Sequence, residues 1–149
     1  MLRTSAVITV TLLLAACGGT QAIKLGVEEN RFLPCPESPN CVSSDAQNEE
    51  QQVAAFTLAV DPATAWIATK EAVSILPRTK LIELNEHYLH AESESSLLGF
   101  IDDLQLHLRP EDGIIAVYSA SRTGYSDFGV NRERVENLRA ILIERGVVR

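Results

Sequence analysis

Two stretches hold most of the side chains able to do chemistry. In FIDDLQLHL, Phe100 to Leu108, a tandem Asp102-Asp103 interrupts a run of alternating leucines. In SRTGYSDFGVNRERVENLR, Ser121 to Arg139, the arginines 122, 132, 134 and 139 surround Ser126, Asp127 and Asn131. Leu104, Leu106 and Leu108 share one face of a strand. Period-two counting therefore puts Phe100 and Asp102 on that inward face and turns Asp103, Gln105 and His107 the other way. A carboxylate buried alone costs several kcal/mol, so Asp102 demands a basic partner: Arg122 at the end of the last strand, or Arg132 or Arg134 entering the last helix. Three chemistries fit. In an ionic joint, Asp102 and Asp127 accept from arginines and from the free N–H groups of the final helix, with Gly124 and Gly129 making the tight turns. In a cradle, the arginines and helix amides hold an anionic group. In the third, the two aspartates act as acid and base. The joint is the simplest, because neighbouring residues on a strand point apart. Ser119 and Ser121 lack a nucleophile elbow, and no histidine has a triad setting. Tyr125 and Phe128 read as lids on the edge of the core.

These residues need a scaffold, and the chain spells one out. Phe56, Leu58 and Val60 alternate within a strand over 53–60, and 42–52 reads as a polar surface loop. Asp61-Pro62 is a helix start, and Pro77 stops that helix. Strands are predicted over 79–84, 87–93, 100–108 and 114–121, with tight turns at Asn85-Glu86 and Pro110 to Gly113. A last helix over 131–145 carries the stripe Val135, Leu138, Ile141 and Leu142, and Gly146 ends it. The order is β-α-β-β-β-β-α, an α+β two-layer domain with a curled antiparallel sheet packed on two helices.

Cys35 and Cys41, in PCPESPNC, read as a local disulfide in an oxidising compartment. The rival is a zinc site completed by His87 and His90. Two histidines three apart on a strand point to opposite faces, so the disulfide is favoured, and no metal or other cofactor is expected.

The chain has 13 basic and 20 acidic side chains, net −7. Residues 1–16 hold a single Arg and no acid, so residues 17–149 keep 12 against 20, net −8. Such a balance argues against nucleic acid and against electrostatic adhesion to anionic lipid. It is uneven: residues 122–149 hold 6 basic and 4 acidic groups.

Residues 1–16 read as a signal peptide, with Arg3 before the apolar run Ala6 to Ala16, too short to span a bilayer. Leu14-Ala15-Ala16-Cys17 resembles the lipobox of bacterial lipoproteins, which implies acylation of Cys17 (palmitate among the expected chains) and attachment to the cell-envelope membrane on its periplasmic side. Gly18 after the anchor favours the outer membrane in a Gram-negative cell. Residues 17–30 read as a lipidated tether, and 31–146 as one globular domain.

PCPESPNCVSS (34–44), FIDDLQLHL and SRTGYSDFGVNRERVENLR together resemble the family called domain of unknown function 1499, over about residues 31–145. The resemblance marks Cys35, Pro39, Asn40, Cys41, Ser43, Ser44, Asp102, Asp103, Ser121, Arg122, Gly124, Ser126, Asp127, Gly129, Asn131 and Arg132 without giving them roles. With no metal, nucleotide or nucleophile signature, the reading is a non-catalytic binding or structural module for an envelope protein or an amphiphilic, lipid-like ligand. Its rival is an envelope hydrolase using Asp102, with Arg122 and Arg132 holding an anionic substrate.

Overall fold

The computed structural model describes residues 24–95 and 99–149. The expected signal peptide, Cys17, Gly18 and the first part of the tether lie outside them. In chain order the elements are β1 (Val27–Glu28), β2 (Arg31–Phe32), β3 (Cys41–Ser43), β4 (Phe56–Thr57), α1 (Pro62–Ser74), β5 (Thr79–Leu84), β6 (Tyr88–Glu94), β7 (Ile101–Arg109), β8 (Ile114–Ser121) and α2 (Val130–Glu144). The α+β order expected over 53–145 is present, preceded by three short strands. The main sheet is antiparallel in the order β3-β8-β7-β6-β5, with β4 also pairing β8.

Local chemistry sets the element ends. The Asp61 side chain accepts from Thr64 N–H at the start of α1, satisfying one of the donors a helix leaves free. Asn85 Oδ1 accepts from His87 and Tyr88 N–H and closes the β5–β6 turn. Gly113, at φ +66°, closes the β7–β8 turn onto Pro110 O, a backbone state cheap only for glycine.

Both helices pack on one face of the sheet. Trp66, Ala72 and Val73 from α1 and Val135, Leu138 and Leu142 from α2 meet Leu89, Leu104, Leu106, Ile115 and Val117. The other face is covered as well. Phe32 and Cys41 lie over Ala116, Tyr118 and Ala120, with Leu25, Val27, Cys35 and Tyr88 alongside. Residues 24–30 are therefore part of the fold rather than tether: Gly26 N–H donates to Gln105 Oε1 at 2.8 Å. The 42–52 stretch is surface loop only in part: Val42, Ser43 and Gln51 are buried, while 47–50 and Gln52 are exposed. At the other end Val147 and Val148 are buried, and Val148 bridges Leu58, so the domain runs past 146. Residues 24–149 thus carry two apolar cores of their own.

β5 is one terminal strand of the sheet and pairs only with β6 among the described residues. Leu81, Ile82 and Leu84 are exposed on it, and its register against β6 slips between Leu81 and Glu83.

Tyr118 is fully buried, and its hydroxyl has no hydrogen-bond partner among the described residues. An orphaned buried hydroxyl costs about 1–3 kcal/mol. Tyr118→Phe is therefore expected to keep or raise the melting temperature; a fall of several degrees would contradict this reading.

Candidate functional site

The two aspartates of β7 stand on opposite faces, each with its own arginine. Asp102, 2% exposed, meets Arg134 of α2, whose Nη2 donates to Oδ2 at 2.6 Å. Asp103, 1% exposed, receives Arg122 through both carboxylate oxygens, at 2.9 and 2.7 Å. His90 Nε2, facing the same carboxylate, donates to it at 2.7 Å, and Arg122 also donates to Glu92. Neither Arg122 nor Arg132 pairs with Asp102. Arg132 instead donates to the backbone oxygens of Glu50 and Gln52. Arg122 and Arg132, expected to hold an anionic substrate for Asp102, stand apart from it, and the tandem aspartates do not face one another.

The reason lies in the two periodicities. Ser121 pairs with Asp102 across β7 and β8, so the next residue, Arg122, leaves the strand on the face of Asp103. On α2, Asn131, Val135, Leu138 and Leu142 are buried, and Arg134 lies three residues past Asn131 on that inward stripe, while Arg132 points outward.

Asn131 is the centre of the joint. Fully buried, it donates through Nδ2 to Asp127 Oδ2 (2.8 Å) and Ser121 Oγ (3.0 Å), and its Oδ1 accepts from Ser119 Oγ and Arg134 Nη1, both at 2.6 Å. Asp127 accepts from Gly129 and Asn131 N–H at the start of α2 but touches no arginine among the described residues. Ser126 Oγ accepts from Phe128 N–H. Asn40 Nδ2 donates to Gly124 O (2.9 Å) and Ser121 O (3.2 Å). The loop that carries Asn40 is closed by the Cys35–Cys41 disulfide, with Cα atoms 5.8 Å apart. That pairing leaves neither cysteine for zinc. His87 is exposed and His90 is committed to Asp103.

Beside the joint a cavity of about 630 Å³ opens between the end of α1, the β5–β6–β7 corner and the start of α2. Its floor is a row of in-register polar residues, Ser93, Asp102 and Ser121, on three adjacent strands. Leu76, Phe100, Phe128, Val130 and Ile141 supply apolar walls and rim. Phe100 is 44% and Phe128 95% exposed, so Phe128 is not a lid on the core. Tyr125 also stands out in solvent. Phe128 holds φ +55°, which is costly for an aromatic residue. The turn into α2 imposes that backbone state and leaves the ring exposed at the mouth of the cleft.

On the covered face, burial pulls the Asp103 carboxyl upward, but the hydrogen bonds from His90 and Arg122 outweigh it and hold it below the usual carboxylate range. Asp45 behaves alike: burial raises it, and Arg109, the Phe32 N–H and Arg31 lower it further. His107 is pushed down by burial and by the Arg109 charge, which outweigh the opposing pull of Asp45. All three bind protons more weakly folded than unfolded. Their contributions to stability are present above the unfolded values and are lost as pH falls. Melting temperature should therefore decline as pH drops below about 6.5, where His107 begins to count, and more steeply below about 4. His107→Gln should flatten the upper part of the profile. A melting temperature that rises between pH 7 and pH 5 would contradict this.

Several groups at the cleft were not legible as candidates from sequence: Ser93, Thr79, Glu94 and Glu133 all line it. The available signal was register, since a residue opposite Asp102 on β6 must share its face.

Among the described residues no helix is long and apolar enough to cross a membrane, and no group of three or more His, Cys, Asp or Glu is placed to hold a metal ion. No curated protein and no solved structure matches the chain. Residues 31–142 match the family described as Protein of unknown function (DUF1499). That span contains the whole joint, Cys35 and Cys41, Asn40, Asp102, Asp103, Ser121, Arg122, Asp127 and Asn131, and the chain belongs to this family.

Proposed function

We propose that this protein is a lipid-anchored envelope protein whose domain binds a small amphiphile without chemically altering it. The observation that carries the reading is the cleft: about 630 Å³, apolar at its rim and ending on the buried Asp102–Arg134 pair. That volume lies within the range of about 300–1,000 Å³ usual for small-molecule sites, which likewise combine apolar walls with a few fixed polar groups. The exposed Phe100 and Phe128 rings fit the same role, since both line this one cleft rather than standing apart on the surface. Attachment through Cys17 would keep the cleft close to a membrane, the source of such molecules.

The test has two parts. The cleft should bind the neutral fluorophore Nile red saturably at one site, and Phe128→Glu should weaken that binding by about tenfold, equivalent to burying one ring less well. Binding unchanged by Phe128→Glu would remove the cleft from the account. Labelled palmitate should enter the wild-type chain and not Cys17→Ala; equal labelling would end the proposal of an anchor at that residue.

A further inference from the structure

Building on the amphiphile reading, the geometry points to the charge of the ligand. We infer that the cleft selects single-chain amphiphiles whose polar end is a protonated amine, received between Asp102 and Ser93.

The cleft is lined by two guanidinium groups, Arg78 and Arg134, against four carboxylates, Glu94, Asp102, Asp127 and Glu133. Among these groups Arg134 is largely committed: Nη1 donates to Ser119 Oγ and Asn131 Oδ1, and Nη2 donates to Asp102 Oδ2. Asp102 is committed only in part. Its residue is 98% buried, it faces the cleft, and its Oδ1 accepts no hydrogen bond from any described residue. Oδ1 is not among the buried unpartnered atoms, so it reaches the open space of the cleft, and a carboxylate oxygen there without a protein donor is an open position for one.

Ser93, opposite Asp102 on β6, adds a second acceptor. Thr79 Oγ1 lies within hydrogen-bond distance of Pro77 O, at 3.1 Å. It also stands 2.8 Å from Ser93 Oγ, a contact in which either hydroxyl can donate. In either arrangement Ser93 Oγ keeps a lone pair with which to accept toward the cleft. The deep end thus offers two neighbouring acceptors, one of them charged, which suits a group with several N–H donors and a positive charge. An anionic head would meet an excess of carboxylates. The apolar body of the same molecule would run outward along Phe100 and Phe128. The volume suits one chain rather than two.

The experiment uses residues 24–149, which contain every element of the described fold, loaded with Nile red and titrated with twelve-carbon probes below their micellar concentrations. Dodecylammonium should displace the dye at a concentration about tenfold lower than dodecanol, and dodecanoate should be weakest. Lysophosphatidylethanolamine against lysophosphatidylglycerol repeats the comparison with a lipid headgroup as the source of the amine. A gain in the first series alone assigns the site to free amines, and a gain in both extends it to lipids. Asp102→Asn should erase the preference for the ammonium over dodecanol. Because Asp102→Asn also weakens the hold on Arg134, Ser93→Ala and Glu133→Gln provide independent readouts, each expected to reduce the preference by about threefold. Glu111→Gln, at the far turn of the β7–β8 hairpin, removes the same charge without touching the cleft and should change nothing. Dodecanoate binding as tightly as dodecylammonium, or Glu111→Gln acting as strongly as Glu133→Gln, would overturn the assignment and leave the amphiphile reading standing. Failure of every probe to displace the dye would overturn both.

Discussion

Arg134→Ala is expected to destabilise the domain by about 3–5 kcal/mol, the loss seen when one member of a buried ion pair is removed. Asp102, 3% exposed in its side chain, would lose its only described partner, and Ser119 Oγ and Asn131 Oδ1 would each lose a donor at the same time. The cost comes from leaving a carboxylate in a place built for a salt bridge, not from the intrinsic value of the pair. Replacing both partners by apolar residues, Asp102→Leu with Arg134→Met, should therefore recover most of the loss. Chemical denaturation of the two single variants and the double variant completes the cycle. An Arg134→Ala domain with wild-type stability would mean that Asp102 is well solvated in the folded domain. Arg132→Ala is the natural comparison. It loses only exposed bonds to backbone oxygens, and the expected effect is small.

Opening the Cys35–Cys41 bridge by replacing both residues with Ala is expected to cost about 2–2.5 kcal/mol from chain entropy alone, for a loop of about seven residues. The loss should be largest around the cleft. The closed loop presents Asn40, whose side chain holds Ser121 O and Gly124 O and whose backbone oxygen accepts from Ser121 N–H and Asn131 Nδ2. Freed, the loop would release the lip that runs from Ser121 to Phe128. Amide exchange should accelerate there before it accelerates in β6 and β7. The same pattern should follow when the wild-type protein is reduced. Uniform acceleration across the sheet would indicate that the bridge stabilises the domain only globally.

Much of the scaffold was legible because it obeys simple periods. The leucines at 104, 106 and 108 announced a strand and fixed the inward parity of Asp102. Asp61-Pro62 and Gly146 bracket the helices where capping chemistry places them. The partner of Asp102 was less legible because it depends on the rotation of α2 as well as on proximity in sequence. Counting from Asn131 along the inward stripe reaches Arg134, and counting by twos along β8 sends Arg122 to Asp103. Both signals were present in the chain, but each needs the other element to be placed first. The cover over the second face was hidden for a different reason. Its strands are two or three residues long, below the length at which periodicity registers. The sign was indirect: in IIAVYSAS, residues 114–121, no charged residue marks a face turned to water, as expected of a strand buried on both sides. Apolar Phe128 at a position of positive φ could not be anticipated, because local propensity argues against it and only the turn into α2 imposes it.

The slip in β5 bears on how many copies of this protein can crowd together without sticking. A flat, open edge displaying Leu81, Ile82 and Leu84 would be a template on which a neighbour adds its own strand, then another, towards a fibre. The extra residue between Leu81 and Glu83 interrupts the spacing of the free N–H and C=O groups that such stacking requires, and Lys80 and Glu83 place charge along the same margin. Colloidal safety is thereby written into a single inserted position, which lets the chain keep an apolar edge at high local density.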